Sequence, residues 1–293
     1  EKAPVSFGRA SKVYNVIDVR QSYLQKIVYQ GLRALHYSAQ AAKSVHFSYE
    51  MVALSPRSLK YLGLAPAAGT GAGEAGKSFV EVSGRKGLGV KADDLLDLLE
   101  EKAFAEVEKR NPEAPDEQKR RTAAEIARGA LRYYMLKYAR NSLIIFDVDD
   151  ALSFEGETGP YLMYTSVRLN SIFRKMEERE GVTLSDLASR AAAGEVDLAV
   201  LGQEELAELW GVLTCAAHLE EEVIHSVESL EFSHLAKFAF NLSQKLNAYY
   251  HQYTVLGEEN AAVKNIRALA VYLVRAVLIK ALDLMGIPVP ERM

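Results

Sequence analysis

Residues 264–290 read KNIRALAVYLVRAVLIKALDLMGIPVP, and this stretch decides the architecture of the second half of the chain. Ile266, Leu269, Leu273, Val277, Ala281 and Leu284 recur at intervals of three and four, the spacing that lines up one face of an α-helix. Lys264, Arg267, Arg275 and Lys280 are their polar counterpart. Gly286 stands where a left-handed helix cap belongs, and Pro288 and Pro290 block further helix. The stretch predicts a long terminal helix of a bundle, and working back from it the chain reads as helical almost to Lys91. Glu204–Tyr253 carries long helical patterns, and Tyr161–Met176 reads as a helix followed by a loop with an Ala-rich piece around Arg190–Gly194. Phe146–Pro160 reads as an irregular connection. Asn111–Asp116 (NPEAPD) breaks a helix, with Asp116 placed to cap the next. That next segment carries Lys119, Arg120, Arg121, Arg128, Arg132, Lys137 and Arg140 against the single acid Glu125, either a solvated face or a surface turned to phosphate.

Before Lys91 the pattern changes. Val13–Val19 (VYNVIDV) is a short β-rich run, Ser22–Leu35 is helical, and His46–Leu54 alternates as a strand. A β–α–β order of this kind predicts a parallel sheet. Ala65–Gly76 reads as a flexible loop, Phe79–Val82 as a strand, and Ser83–Gly89 (SGRKGLG) as a second glycine-containing loop. The expected architecture is an α/β piece followed by an all-α bundle, predominantly helical overall.

Composition sets wide limits. The 293 residues are 49% hydrophobic and 25% charged, enough apolar material for about two domains with real cores. The net charge of −4 speaks mildly against a nucleic-acid partner, although a local patch can carry the opposite sign. The single cysteine, Cys215, excludes an internal disulfide. Leu269–Ile279 is too short, and interrupted by Arg275, to be a membrane span.

Three motifs point elsewhere. Gly71, Gly76, Lys77 and Ser78 fit a phosphate-loop pattern, but the loop enters a strand where the chemistry needs a helix N-terminus. Leu143–Ser153 (LIIFDVDDALS) looks like a phosphatase nucleophile strand with Asp147 and Asp149, yet Ala151 replaces that family's Thr. His218, Glu222 and His225 share one helix face at metal-ligand spacing, and a solvated acidic face is the plainer reading beside Glu220 and Glu221.

Four separated segments, in order, resemble arginyl-tRNA synthetases, which are class I enzymes. Tyr14–Gln21 (YNVIDVRQ) is similar to the strand ending in the arginine pocket, with Gln21 at the position of a substrate-binding glutamine. Val82–Gly87 (VSGRKG) stands at the class I signature loop, with Val82 and Gly84 departing from the family pattern. Phe154–Tyr164 (FEGETGPYLMY), continuing to Arg168, resembles the junction into the anticodon domain. Ala248-Tyr249-Tyr250, Val255–Glu259 and the final Glu291-Arg292-Met293 resemble the family's C-terminal segment.

The resemblance implies three regions. Residues 1–90 would be the C-terminal half of a Rossmann-type catalytic domain with its signature loop, 91–157 a helical region contacting the tRNA stem, and 158–293 a helical anticodon-binding domain. It implies an arginine–tRNA ligase: ATP, with Mg2+, activates L-arginine, which passes to tRNA-Arg. The alternative is a non-catalytic synthetase-like tRNA-binding paralogue. Ser83, Arg85 and Lys86 take the catalytic role, Gln21 binds substrate, and Tyr250 and Met293 contact the anticodon. A backbone loop carrying Arg85 and Lys86 suits the spread charge of a phosphoryl transition state, and splayed anticodon bases need aromatic or soft side chains. No protein-bound metal, membrane or DNA partner is expected, and a cytoplasmic location is. No His-Ile-Gly-His-like motif is present, so the isolated chain is expected to be inactive as a ligase. Glu50 stands where the family has a small residue near the adenosine region.

Overall fold

A computed structural model describes residues 8, 10–64, 89–194 and 197–293. The first unit is a parallel pair, β1 (Val13–Asp18) and β2 (Ser44–Tyr49), in register from Val13 opposite Ser44 to Asp18 opposite Tyr49. The crossover between them consists of α1 (Ser22–Ala34) and the short α2 (Ser38–Ala42). α1 carries Tyr23, Leu24, Ile27 and Val28 as an apolar stripe, yet these four are 49–72% exposed and no residue of the helix is buried.

The strand expected across His46–Leu54 is two strands. β2 ends at Tyr49, and β3 (Val52–Leu54) pairs in parallel with β4 (Ile144–Phe146), a segment expected to lie between helices and in an irregular connection. The break is at Glu50-Met51. Glu50 N–H donates to the Arg140 carbonyl, and the Glu50 carboxylate accepts from Met51 N–H at 3.0 Å. Periodicity does not record which partner each half of a strand finds, so one run serves two sheets.

A second core gathers around β3 and β4. α3 (Pro56–Tyr61), α4 (Ala92–Arg110), α5 (Asp116–Leu136) and α6 (Val148–Leu152) bury Leu59, Leu99, Ala127, Tyr134 and Val148 against Leu54 and Phe146. The Tyr134 ring meets Phe146 edge-on at 4.9 Å, and its hydroxyl donates to the Ile145 carbonyl. Asp116 does not cap α5: the cap position is Pro115, and Asp116 lies in the first turn, 3.4 Å from Lys119 Nζ.

The main core takes in Ala103 and Val107 of α4 and Ala123, Ile126 and Tyr133 of α5, but belongs mostly to the helices that follow. These are α7 (Gly159–Glu180), α8 (Leu184–Ala193), α9 (Gln203–Ala217), α10 (Leu219–Ser229), α11 (Ser233–Gln252) and α12 (Ala261–Leu284). α8 replaces the loop expected after Met176. Thr183 and Asp186 form a reciprocal capping box at its start, and Gly194 adopts the left-handed conformation at its end. Among the described residues, no helix is long and apolar enough to cross a membrane.

Two glycines set the approach of α5 to α7. A Cβ on Gly159 would lie 2.4 Å from the Gly129 carbonyl oxygen, a backbone atom, so only glycine permits this crossing. α12 ends as its sequence predicts: Gly286 has φ +67°, and Ile287 N–H reaches back to the Leu282 carbonyl at 2.9 Å. Its buried face is rotated from the expected one. Ile266, Leu269 and Ala281 are buried, but Leu273 and Leu284 are 42% and 48% exposed, and Val274, Leu278 and Leu282 take the core. Each such aliphatic side chain contributes on the order of 1.5–3 kcal/mol by leaving water.

Candidate tRNA interface

The seam between α7 and α11 concentrates aromatic, cationic and amide groups. Thr158 caps α7 through its hydroxyl, which accepts from Tyr161 N–H, and this sets the helix so that Tyr164 and Thr165 lie one turn after Tyr161 and Arg168 one turn further on. On α11, Asn247 donates through Nδ2 to Tyr161 Oη at 2.9 Å and to Thr165 Oγ1 at 3.1 Å, fixing its amide. Tyr161 meets Phe240 edge-on at 5.6 Å. The exposed guanidinium of Arg168 lies 5.4 Å from the centroid of the Tyr250 ring, a cation–π distance.

Tyr250 is only 8% exposed. Burial pushes its hydroxyl pKa up, against the opposing pull of backbone hydrogen bonds with Val255 and Leu256. The ring is therefore a support for Arg168 more than an open stacking face. Tyr164, 43% exposed, offers the open aromatic face on this seam. An exposed ring, a guanidinium with planar donors and an oriented amide are groups that stack on, pair with and read unpaired bases.

A buried ion-pair network holds the chain next to this seam. Arg267 of α12 donates through Nε and Nη2 to Glu205 of α9 at 2.6 and 2.9 Å, and through Nη1 to Glu258 at 2.7 Å and to the Thr254 carbonyl at 3.0 Å. Tyr249 Oη donates to the same Glu205 at 3.1 Å. The Glu205 hydrogen bond raises the Arg267 pKa, and burial, then the Glu205 charge, raises that of Tyr249. The loop leaving Tyr250 is thereby tied to three helices.

The basic segment of α5 divides. Lys119 is buried and reaches Asp116 and Glu108, Arg140 pairs with Glu231 at 3.5 Å, and Lys137 donates to the Glu157 carbonyl. Arg121, Arg128 and Arg132 remain exposed on one face, with Arg121 paired to Glu125. The C-terminal residues Val289–Arg292 lie along this helix, lining a groove with Gln118, Arg121 and Glu125.

Residues 162–293 match the family model of the DALR anticodon binding domain, so the bundle carrying this seam is a helical domain of the anticodon-binding class. An arginine–tRNA ligase of Thermus thermophilus is 33% identical over 296 residues, covering 97% of this chain and 42% of the relative. One from Thermococcus kodakarensis is 32% identical over 296 residues, covering 100% and 41%. The solved arginyl-tRNA synthetase of Thermus thermophilus matches with a TM-score of 0.75 and 30% identity over 99% of this chain and 43% of that one. The Plasmodium falciparum enzyme, at 18% identity and a TM-score of 0.69, shares the fold. The chain belongs to the arginyl-tRNA synthetase family, corresponding to its C-terminal part, and spans about two fifths of the length of these relatives.

The sequence-derived site residues fall in separate places. Gln21 is exposed at the start of α1, just past the C-terminal end of β1, the end at which parallel sheets bind ligands. Beside it Arg20 clamps Asp18 and holds that carboxyl at about 2. Ser83, Arg85 and Lys86 lie outside the described residues, as do the phosphate-loop residues Gly71–Ser78 and the strand expected at Phe79–Val82. Tyr250 is a member of the main core, and Met293 packs, partly exposed, against the same core. Arg168 was legible only as the end of a matching segment. Tyr164 and Asn247 gave no separate signal, since no local pattern tells that a Tyr or Asn on one helix will lie at a seam with another.

The phosphatase-like carboxylates are structural. Asp147 caps α6, accepting from Asp149 and Asp150 N–H, and it also takes hydrogen bonds from Ser55 Oγ and from the Arg57 guanidinium. Asp149 accepts from Tyr61 Oη at 2.8 Å and Lys102 Nζ at 3.0 Å. Burial works to raise both carboxyl pKa values, but the bonds from Arg57 and Ser55, and from Lys102 and Tyr61, outweigh it and lower them. With five hydrogen bonds on its two oxygens, Asp147 is held as a helix cap and not presented as a nucleophile, and β4 hands the chain to that cap.

Proposed function

We propose that the chain is the tRNA-recognising part of an arginine–tRNA ligase, with the α7–α11 seam reading the anticodon of tRNA-Arg. The observation that carries this is the Arg168–Tyr250 pair beside Tyr164 and Asn247, within the residues that match the anticodon-binding model. Arg168 supplies planar donors to a base edge or phosphate, Tyr250 holds it from below, and Tyr164 stacks on a neighbouring base. The exposed arginines of α5 add sequence-independent attraction for the tRNA backbone. Met293, beside the groove of α5, is the second anticodon contact that the family resemblance implies.

In the same reading the α/β unit belongs to a catalytic domain that activates L-arginine with ATP and Mg2+. Gln21 holds the amino acid, and Ser83, Arg85 and Lys86 stabilise charge on the phosphates. The exposed apolar stripe of α1 is consistent with this reading, since such a face suits contact with further protein. The 293-residue chain contains no His-Ile-Gly-His-like motif and by itself binds tRNA without activating arginine.

The test is binding of tRNA-Arg and of the same tRNA with its central anticodon base changed, across a salt series. Preference for the intact anticodon at every salt, over a background that weakens with salt, supports the reading. Equal binding of both by the folded chain overturns it. Arginine- and ATP-dependent pyrophosphate exchange by this chain alone would refute the division of labour.

A further inference from the structure

We propose that Glu222 and His225 of α10 and His234 of α11 form a site for a divalent transition-metal ion of the zinc class. One ligating atom from each of the three lies within 4.8 Å of those of the other two. Glu222 and His225 are one turn apart on α10, and His234 is in the first turn of α11. The two imidazole rings are stacked at 4.1 Å with 26° between their planes. His218, which helix spacing alone would group with Glu222 and His225, is turned away: its Nδ1 bonds the Thr214 carbonyl at 2.7 Å, and its Nε2 faces Glu221 at 3.6 Å. The tertiary structure thus exchanges one histidine of the sequence-spaced trio for another from the next helix.

The donor set fixes the kind of ion. Two imidazoles and a carboxylate suit zinc, cobalt or nickel, while calcium and magnesium select oxygen ligands. Bonds of about 2.0–2.2 Å around a tetrahedral centre place donors roughly 3.2–3.6 Å apart, so the three must close by about an ångström. His225 is exposed, and rotation of its side chain supplies that closure without moving either helix. Three protein ligands leave a fourth position for water. The negative field of Glu220, Glu221 and Glu222 in the first turn of α10 favours a cation here.

The site sits at a joint. Between the two helices the chain turns through Leu230, at φ +57°, into Glu231 and Phe232. Glu231 accepts from Arg140 N–H at 3.0 Å, and Phe232 stacks on Phe47 of β2 at 5.9 Å. An ion bridging α10 to α11 would clamp the corner through which the helical bundle touches the β1–β2 unit.

The test uses the full 293-residue chain, stripped of metal and titrated with Co2+, reading visible ligand-field absorption, then with Zn2+ as competitor. The expected result is saturable binding of one ion per chain at micromolar concentration, displaced by Zn2+. His225→Ala, at an exposed position, and His234→Ala should each weaken it by about a hundredfold or more, since even losing a supporting contact costs roughly 10–100-fold. His218→Ala should leave it unchanged. Zn2+ should raise the melting temperature of the parent chain and not that of His225→Ala. Absence of saturable binding by the folded parent, binding that survives in the His225→Ala/His234→Ala double variant, or equal loss in His218→Ala overturns the proposal.

Discussion

Replacing Arg267 with Met should be among the most damaging single changes outside the apolar core. Arg267 is 9% exposed, and its partner Glu205 is 7% exposed. Met keeps much of the volume and removes four hydrogen bonds: two to Glu205, one to Glu258 and one to the Thr254 carbonyl. Glu205 is then a buried carboxylate with only the Tyr249 hydroxyl to meet it. Removing one member of a buried pair typically costs about 3–5 kcal/mol, most of it the uncompensated charge left behind. At this chain length 1 kcal/mol moves the melting point by roughly 2 °C, so a drop of about 6–10 °C is expected. Calorimetric melting measures it, and hydrogen exchange of the Tyr253–Asn260 loop should rise alongside. The Glu205→Leu/Arg267→Met double variant should recover most of the loss, because it removes both charges together. A single variant within about 1 kcal/mol of the parent, or a double variant worse than the single, would refute the account of this network as a paired buried charge.

Other expectations follow from the same geometry. Gly159→Ala drives a Cβ into the Gly129 carbonyl and should cost about 2–3 kcal/mol or more. Gly129→Ala meets the flexible Met163 side chain and gains helix propensity, so it should cost less; equal denaturant midpoints for the two would contradict the crossing argument. Asp147 and Asp149 have pKa values lowered below 3.8 in the folded protein. Their stabilisation is therefore present above the unfolded value and lost as pH falls through the folded one. The stability gap between the parent and Asp147→Asn should be constant near neutrality and shrink as pH falls below about 4, and a gap independent of pH down to 2.5 would count against it. Arg168→Ala should weaken tRNA-Arg binding roughly tenfold or more and flatten discrimination at the anticodon, whereas Tyr250→Phe, which keeps the ring, should stay near the parent. Filter binding with the two tRNAs distinguishes these, and a Tyr250→Phe loss as large as that of Arg168→Ala would place the role in the hydroxyl instead.

The long helices were legible because their signals are local. α12 shows three- and four-residue recurrence with a glycine stop, and most of α7 was read from Tyr161–Met176. α8 was missed: its alanines read as part of a loop, and the Thr183–Asp186 capping box at its start is seen only in the structure. The family likeness, too, was carried by short runs such as Phe154–Tyr164 and Glu291–Met293, which survive without knowledge of the fold. Legibility failed where an outcome depends on a distant partner. The His46–Leu54 run did not reveal that Arg140 ends one strand and β4 receives the next. Asp147 and Asp149 carried a phosphatase spacing until Arg57 and Lys102 were set against them.

By itself, the sequence determined that this protein is an α/β unit followed by a helical bundle, where its last helix stops, and which family the chain resembles, because backbone preferences and apolar spacing act over a few residues. Only the tertiary structure decided which face of α12 is buried. With apolar residues nearly all round that helix, packing against α9 and α11 selects Val274 and Leu278 over Leu273 and draws Arg267 inward to Glu205. The same packing decides that Tyr250 supports Arg168 instead of facing solvent and that His234, not His218, joins Glu222 and His225. Charge pairing and side-chain assembly across helices are set by the full packing of the chain, and no local window of sequence contains them.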